Sequence, residues 1–389
     1  RRCDRRRYPR RRATTMMSSR HSAIVSPDTS APFDSSVTVA LICYNSTAYL
    51  ERCLRSVLAA MSPGTPLLVI DNASSDGSPA LVRQLAPDCQ LISLSQNIGH
   101  SAACNLALQL ATTTWVLLLD HDTYVPTDWL APLISAARKT WPATAMVSSR
   151  AIFEDGSRLH HDGGYIHFVG HMTLQHGFAP VQNHPAQPGE VWEVGAQAAT
   201  SLLIHRERAL AVGGFDARFF IYLNDWELAL RMRLRGWRCY VAPDSVVYHR
   251  AGNRETSWRG QGAYPSRRAF LIYRNRWMTL LKLYSLRTLL LCAPAILLYE
   301  LLMLAAAVRN GWLGAYGAAL RDVARRWEPL LLQRRRIQRT RVIGDGALLD
   351  ARGFSFVPGL VQGPAYLVQR AIERLLGTYW RLVRPLLDG

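Results

Sequence analysis

The sequence predicts an α/β protein with a mostly parallel sheet that helices flank, and two observations support this fold class. Four short apolar runs have the length of buried strands, at residues 37–43, 67–70, 91–94 and 115–119. Helical stretches separate these runs, and strands that alternate with helices are typical of βαβ units. The first third of the chain therefore predicts a parallel sheet.

The connecting segments predict the helices in turn. After the first run, Tyr44 and Asn45 precede a helical pattern over residues 50–58. After the third run, residues 97–100 open a helix that continues to Leu110. Much later in the chain, residues 245–248 have the pattern of a further strand. The elements therefore follow one another in the order expected of βαβ units.

Polar side chains follow three of these strands at the point where each strand ends. They are Asp71 after the second strand, Asn97 after the third, and Asp120 with Asp122 after the fourth. In a parallel sheet the carboxyl ends of the strands share one edge, which is where open α/β sheets bind ligands. The three clusters are therefore expected to converge on one site.

Asp120 and Asp122 are separated by one residue, and alternate residues of an extended segment point the same way. Two such carboxylates suit Mg²⁺ or Mn²⁺, which prefer oxygen ligands and often share them with substrate phosphates. A solvated loop or a helix cap is the alternative interpretation of this pair. For Asp71, the alternatives are a turn residue and an acceptor for the imide N–H of a pyrimidine base.

The composition narrows the class of protein. With 389 residues, 49% of them hydrophobic and 19% charged, the chain can bury a sizeable core. The net charge is +18, which suits partners such as phosphorylated substrates, anionic lipid or nucleic acid. The 7 cysteines form no CxxC pair, so the sequence indicates neither a zinc site nor a disulfide framework. A reducing, cytoplasmic setting fits best.

The ordered motifs resemble bacterial family 2 glycosyltransferases of the GT-A fold, and are most similar to rhamnosyltransferase-like members. The matching segments are VALICYN at 39–45, VIDNASSDGS at 69–78, NIG at 97–99, Asn105, DHD at 120–122, VGGFD at 212–216, FF at 219–220, NDWEL at 224–228 and VYH at 247–249. The resemblance implies a catalytic domain over residues 37–280. The Arg-rich sequence of residues 1–36 predicts a disordered basic tail, and residues 281–389 are expected to form a helical, membrane-associated region.

The resemblance also implies roles for the residues at this edge of the sheet. Asp71 would bind the base of the donor, and the strand that ends at Asn45 would frame it. Asn97 and Gly99 belong to the same nucleotide-binding side. Asp120 would face the ribose or the diphosphate. Asp122 and His249 would ligate a divalent metal, Mg²⁺ or Mn²⁺.

By the same resemblance, Asp225 is the general base, which would take the proton of the acceptor hydroxyl in a single displacement that inverts the anomeric centre. Asn224 stands where the family usually has Glu, and Glu227 where it has Asp, so the acceptor geometry is expected to differ. A helix cap is the alternative role for Asn224 and Asp225.

The resemblance also places the acceptor side near His161, Gly164 and Glu227. His161 and Gly164 lie in a Gly-rich stretch that holds six histidines over residues 152–192. Their spacing matches no compact zinc ligand set, so an acceptor contact or a plain loop is expected rather than a second metal site.

The last third of the chain predicts contact with a membrane. Residues 286–308 are long enough to span a bilayer, yet they contain Arg287, Pro294 and Glu300, so an embedded or in-plane anchor competes with a packing helix. Residues 364–383 have the pattern of a basic amphipathic helix, which suits a membrane surface or packing on the catalytic domain. The Arg-rich and aromatic segment at 250–277 suits a membrane interface or a diphosphate, and nucleic acid is not expected.

The sequence thus predicts an enzyme that moves a sugar from a nucleotide-diphosphate sugar, with dTDP-rhamnose or a UDP-sugar favoured. The acceptor would be a lipid-linked or growing surface glycan. The place of action would be the cytoplasmic face of the bacterial inner membrane, with the protein peripheral or monotopic on an anionic surface. The alternatives are a nucleotidyltransferase on a similar sheet and a non-catalytic protein that binds membrane or nucleic acid.

Overall fold

The computed structural model describes residues 32–250, 266–355 and 363–387. Its strands are β1 (Val37–Cys43), β2 (Leu67–Asp71), β3 (Gln90–Ser93), β4 (Trp115–Asp120), β5 (Thr123–Tyr124), β6 (Thr144–Phe153), β7 (Leu159–His161), β8 (Gly164–Ile166), β9 (Met172–Leu174), β10 (Trp192–Val194), β11 (Ser201–His205) and β12 (Arg238–His249). The first four coincide with the apolar runs that predicted them, to within one residue at each end.

Ten strands form one sheet, in the order β10-β12-β6-β11-β4-β1-β2-β3, while β5 pairs with β12 and β7 with β6. Strands β1, β2, β3 and β4 are parallel to one another. Strand β11 is antiparallel to both β4 and β6, and β12 is parallel to β6. The strands β1 to β4, β6 and β12 therefore point the same way, and their carboxyl ends share one edge.

The predicted α/β class is confirmed, but the sheet is mixed because β11 runs between β4 and β6 in the opposite direction. The sequence pattern did not reveal this insertion. A buried strand is apolar on both faces whichever way it runs, so hydrophobicity carries no direction. Strands β8 and β9 form a separate two-stranded sheet.

Helices cover both faces of the sheet and build the C-terminal region. They are α1 (Thr47–Ala60), α2 (Ser78–Leu85), α3 (His100–Leu110), α4 (Leu130–Lys139), α5 (Arg206–Ala211), α6 (Asn224–Leu234), α7 (Ser266–Leu283), α8 (Leu286–Leu291), α9 (Ala293–Arg309), α10 (Leu313–Arg325), α11 (Trp327–Arg339), α12 (Asp345–Leu348) and α13 (Pro364–Val383). Alternate residues of β1 belong to the two cores, with Ala40 and Ile42 on the α3 and α6 side and Val39 and Leu41 on the α1 and α4 side.

The stretch at 286–308 is divided by Cys292 into α8 and α9. Across the described ranges, no helix combines the length and the hydrophobicity that are needed to cross a bilayer. The charge of Glu300 within this apolar stretch is paired inside the protein. Glu300 accepts hydrogen bonds from Arg276 at 2.6 Å and from the Tyr316 hydroxyl at 2.6 Å. The C-terminal region is helical, as predicted.

At both predicted domain boundaries, packed or helical structure continues across the predicted limit. Phe33, within the predicted tail, packs against Trp115 and Trp141, whereas residues 1–31 lie outside the described residues. Helix α7 runs through residue 280, where the predicted catalytic domain ends.

The Arg-rich segment is only partly described, since residues 251–265 lie outside the described ranges. Within the remainder, Tyr273, Arg274 and Arg276 are buried. The interpretation as a membrane or diphosphate face is wrong for these three residues, because they pack inside the protein.

Candidate functional site

The carboxyl edge of the sheet brings together side chains from the ends of two strands and from the turn between β4 and β5. Asp120 ends β4, Asp122 follows it, and His249 ends β12. Each of the three can offer one ligand atom, and these atoms all lie within 4.8 Å of one another. Two carboxylates and one imidazole at this spacing form a candidate site for a divalent cation.

The short strand β5 explains why His249 reaches Asp122, which is 127 residues away in the sequence. It pairs with the end of β12 and sets His249 opposite Thr123. His249 Nε2 then lies 3.1 and 3.2 Å from the two carboxylate oxygens of Asp122. The other ring nitrogen of His249, Nδ1, lies 3.0 Å from Nδ1 of His160.

Asp71 is buried at the end of β2. Its Oδ2 accepts a long hydrogen bond of 3.3 Å from the backbone N–H of Ser74. Its Oδ1 is buried and has no hydrogen-bond partner among the described residues. A buried carboxylate oxygen without a donor is costly unless a ligand supplies one.

Asn45 and Asn97 hold the loops around Asp71. Asn45, with a left-handed φ of 48°, accepts a hydrogen bond from the backbone N–H of Ser75 at 2.8 Å. Asn97 accepts hydrogen bonds from the Asn72 amide at 3.1 Å and from the backbone N–H of Gly99 at 2.9 Å. Both asparagines lie where predicted, and their side-chain oxygens brace the loops.

Gly99 takes a φ of +84° and lies against the loop before α6. A Cβ at this position would be 2.5 Å from a ring atom of Phe220, so a larger residue would displace that loop. The next residue, His100, begins α3 and lies 3.5 Å from Asp120 and 3.3 Å from the side-chain amide of Asn224. Burial opposes protonation, but Cys104 and Asp120 raise the pKa of His100 well above its usual value.

Asp225 lies in the first turn of α6. Its Oδ2 accepts a hydrogen bond from the backbone N–H of Ala199 at 2.8 Å, and its Oδ1 accepts one from the backbone N–H of Trp226 at 2.9 Å. Burial raises the pKa of Asp225 to about 6, although these hydrogen bonds and His100 act in the opposite direction. A carboxylate with this pKa can exchange a proton near neutral pH.

The loop that leads into α6 is strained. Phe220, Tyr222 and Leu223 all have left-handed φ values, between 59° and 69°. Helix α7 holds this loop, because the Asn275 amide donates hydrogen bonds to the carbonyl oxygens of Phe219, Ile221 and Tyr222 at 2.8–3.1 Å. Such conformations persist only where the surroundings enforce them, and they cluster at functional sites.

The three predicted acceptor-side residues do not lie together. His161 is buried, and its Nε2 lies 3.4 Å from the Thr200 hydroxyl. The backbone carbonyl oxygen of Thr200 also accepts a hydrogen bond from the backbone N–H of Asp120. Gly164 lies against the Trp226 ring, where a Cβ would clash. His161 is thus near the segment that contacts Asp120, and Gly164 is near the start of α6, which carries Asp225.

The structure does not support the prediction that Glu227 contacts the acceptor. Its carboxylate is fully buried and forms ion pairs with Arg231 at 2.6 Å and with Lys282 at 2.7 Å. It points away from the sheet edge into the packing of α6 on α7, because position 227 lies half a turn beyond Asp225. Glu227 is therefore a structural residue rather than an acceptor contact.

The sequence did not single out four residues that contact the candidate site or the segments that position it: His100, His160, Asn275 and Lys282. His100 adjoins the NIG motif and could have been noticed there. His160 was visible only as one histidine among six. Asn275 and Lys282 belong to a helix with no motif, and only the folded chain brings them to the loop and to α6.

Comparison with known proteins agrees with these features. The family model described as "Glycosyl transferase family 2" matches residues 38–201. The N-acetylglucosaminyl-diphospho-decaprenol L-rhamnosyltransferase of Mycobacterium tuberculosis is 26% identical over 233 residues, which cover 55% of this chain and 76% of that protein. The succinoglycan biosynthesis protein ExoO of Rhizobium meliloti is 32% identical over 124 residues, covering 32% of this chain and 36% of that protein.

Among solved structures, a mannosyltransferase from Pyrobaculum calidifontis in complex with GDP-Man and Mn²⁺ aligns with a TM-score of 0.45 and 17% identity, covering 90% of this chain and 86% of that chain. GalNAc-T7 with UDP, GalNAc and Mn²⁺ aligns with a TM-score of 0.48 and 17% identity, and covers 63% of this chain and 47% of that one. The match to the glycosyl transferase family 2 model thus covers the part of this chain that carries Asp71, Asp120 and Asp122.

Proposed function

We propose that this chain is an inverting, metal-assisted glycosyltransferase that moves a sugar from a nucleotide-diphosphate sugar to a hydroxyl group of a glycan. The observation that carries the proposal is the convergence of Asp120, Asp122 and His249 within 4.8 Å at the carboxyl edge of a family 2 domain. That edge is where an α/β sheet binds its ligands.

The donor nucleotide would lie over the ends of β1 and β2. Asp71 Oδ1, which is buried without a donor, would accept the imide N–H of a pyrimidine base. Asn45, Asn97 and Gly99 would frame this nucleotide, and Asp120 would face its ribose or diphosphate. A dTDP- or UDP-sugar is favoured, and the similarity to an L-rhamnosyltransferase supports dTDP-rhamnose as the first donor to test.

Asp122 and His249 would hold the divalent cation, with Asp120 beside them. The donor set fits a divalent cation, since the three ligand atoms are close enough for one ion to reach. An imidazole ligand favours Mn²⁺ over Mg²⁺, which prefers oxygen. When bound, the cation would offset negative charge on the departing diphosphate.

Asp225 would be the general base. Its carboxylate would take the proton from the acceptor hydroxyl as that oxygen bonds to the anomeric carbon and the bond from that carbon to the diphosphate oxygen breaks. The pKa of about 6 supports this role, because Asp225 would be mostly ionised at pH 7 yet basic enough to accept the proton. No covalent sugar-enzyme intermediate is needed, so the anomeric centre inverts.

We also propose that the acceptor is lipid-linked and that the protein works on the cytoplasmic face of the inner membrane. The name of the mycobacterial relative describes a lipid-linked acceptor for that protein. On this chain, leucines of α8, α9 and α13 are each more than half exposed: Leu286, Leu290, Leu297, Leu301, Leu367, Leu375 and Leu382. Arg287, Arg370, Arg374 and Arg381 lie on the same helices, a combination that suits an anionic lipid surface.

The domain boundaries are proposed accordingly. The catalytic domain begins near residue 37, after the basic tail, and the helical region follows it. Because Asn275 and Lys282 of α7 contact the loop and helix that carry Asp225, we place the boundary after Leu283 rather than at residue 280.

The test combines binding with product analysis. Thermal shift with dTDP-rhamnose and with UDP-, GDP- and ADP-sugars, each with and without Mn²⁺, should identify one donor that stabilises the folded protein by mass action. Asp122→Ala should abolish the Mn²⁺-dependent part of this shift. With a labelled donor, release of nucleoside diphosphate supports glycosyl transfer, whereas release of pyrophosphate would indicate a nucleotidyltransferase.

Asp225→Asn provides the matched catalytic variant. It should bind the donor as the wild type does, while turnover falls by about 10²- to 10⁴-fold. Unchanged turnover would refute the role of Asp225. If no nucleotide sugar stabilises the protein and no product forms, a non-catalytic binding protein becomes the better interpretation.

Membrane contact has its own test. The full chain should co-sediment with anionic phospholipid vesicles more than with neutral ones. The combined substitution Leu290→Ser, Leu297→Ser and Leu382→Ser should reduce the bound fraction, whereas Leu58→Ser on α1, also exposed, should not. Equal binding of both variants to the vesicles would refute this surface.

A further inference from the structure

His160 lies behind the candidate metal site, on the side of His249 that faces away from Asp122. It is buried, and its Nδ1 is 3.0 Å from Nδ1 of His249. Its ring also packs against Phe153, with ring centroids 5.3 Å apart, and against His161 at 4.8 Å. The contact joins residues 89 positions apart, on β7 and at the end of β12.

The two nitrogens of a neutral imidazole have opposite roles, since one donates a proton and the other accepts one. His249 Nε2 points at the Asp122 carboxylate, at 3.1 and 3.2 Å. Without a cation, Nε2–H can donate to Asp122, and Nδ1 must then accept from His160 Nδ1–H. A cation on Nε2 needs the lone pair of that nitrogen, so the proton must be on Nδ1.

The second arrangement requires a partner that accepts at Nδ1 of His249. A neutral imidazole at position 160 can be that partner, because it can carry its proton on Nε2 and leave Nδ1 with a lone pair. The same side chain therefore complements His249 in both arrangements. An aliphatic or phenyl side chain could complement neither.

We propose that His160 is a positioning residue that holds the His249 imidazole in the orientation and tautomer needed to ligate a divalent cation. This inference rests on the proposed function, and it extends the site to a residue that never touches the cation. Partners that orient a metal-binding histidine typically change metal affinity by about 10- to 100-fold when they are removed.

The experiment is a Mn²⁺ titration of the full-length protein, followed by the electron paramagnetic resonance signal of free Mn²⁺. His160→Phe keeps the ring beside Phe153 but has no nitrogen for His249. His160→Asn keeps a short side chain that can either donate or accept. His184→Leu is the matched control, because it removes a histidine of the same segment that stacks on His176 at 3.9 Å instead.

We expect His160→Phe to bind Mn²⁺ about 10- to 100-fold more weakly than the wild type. His160→Asn and His184→Leu should stay within about 3-fold of the wild type, since neither takes the hydrogen-bonding partner from His249. Thermal unfolding of each variant verifies that it is folded.

Two results would overturn the inference while leaving the proposed function intact. One is wild-type affinity in His160→Phe. The other is weak binding in a folded His160→Asn, which would show that packing rather than the hydrogen bond matters, and this second variant remains decisive if His160→Phe does not fold. If the wild type binds no Mn²⁺, the metal-assisted part of the proposed function is refuted, and this inference is refuted with it.

Discussion

Lys282 Nζ lies 2.7 Å from Oε1 of Glu227 and 2.6 Å from Oδ2 of Asp216, in a position with no solvent exposure. Arg231 pairs with the same glutamate, and Arg218 with the same aspartate. The network joins α7 to the helix that begins with Asn224 and Asp225, and both helices lie beyond the segment that matches the family model. Helix α7 thus contributes to the position of the proposed base.

The first prediction concerns the stability that this network provides. Lys282→Met should lower the free energy of unfolding by about 3–5 kcal/mol, because removal of one partner leaves buried carboxylates undercompensated. Lys139→Met is the matched control, since the other lysine of the chain lies at the surface and its loss should cost less than about 0.5 kcal/mol. Urea unfolding measures both, and equal midpoints for the two variants would contradict the prediction.

The second prediction is a pH dependence of the same network. Burial alone would raise the pKa of Asp216, but Lys282 and Arg218 hold it well below its ordinary value. The unfolded chain therefore binds more protons than the folded one below the unfolded-state pKa of about 3.9. The stabilisation by Asp216 is complete above that pH and is lost as the pH falls.

The difference in unfolding free energy between wild type and Lys282→Met should accordingly narrow in acid. Urea unfolding at pH 7, 5, 4 and 3 measures this difference, and it should shrink mainly at the two lowest values. A difference that is constant across this range, or one that widens in acid, would show that Asp216 is not the group whose charge Lys282 stabilises.

Particular residues show how much of the fold and of the candidate site the sequence could predict. Strand β1 coincides with the apolar run at 37–43, since a short buried strand leaves a continuous hydrophobic signature. Asp71, Asp120 and Asp122 lie at the predicted edge because the carboxyl ends of parallel strands must share it. The predicted helix at 364–383 has the bounds of α13.

What could not be predicted depends on contacts between distant segments. Glu227 appears in the motif that contains Asp225, yet only the packing of α7 shows that Lys282 neutralises it. His160 meets His249 because β7 and β12 are both neighbours of β6, and no local pattern encodes that neighbourhood. A motif names the residues of a site, whereas the partners that orient them come from the tertiary fold.

The third prediction is the pH profile of the proposed transfer reaction. Asp225 must be ionised to accept a proton, and burial raises its pKa to about 6. The ratio kcat/KM for the acceptor should therefore fall about tenfold for each pH unit below 6 and level off above about pH 7, because kcat/KM reports the ionisation of the free enzyme. Initial rates at low acceptor concentration between pH 4.5 and 8 measure the profile. A midpoint near the ordinary aspartate value of about 3.9 would contradict the role of the buried carboxylate.

The fourth prediction concerns the strained loop that precedes Asp225. Asn275→Ala removes the amide that donates to the carbonyl oxygens of Phe219, Ile221 and Tyr222. Left-handed conformations at Phe220, Tyr222 and Leu223 would then lose a support that enforces them, so α6 and Asp225 should shift. Because a misplacement of about 1 Å can cost about 10²-fold in rate, we expect kcat to fall by up to that factor while donor affinity stays unchanged.

Gln338→Ala is the matched control for this loss. The Gln338 amide also donates to chain carbonyl oxygens, those of Lys282, Leu283 and Tyr284, but it does so at the far end of α7 from the loop. Both substitutions should lower the melting temperature, since each removes side-chain hydrogen bonds to carbonyl oxygens. Only Asn275→Ala should lower kcat. An equal loss of kcat in both variants would mean that general destabilisation, rather than the position of Asp225, limits the reaction.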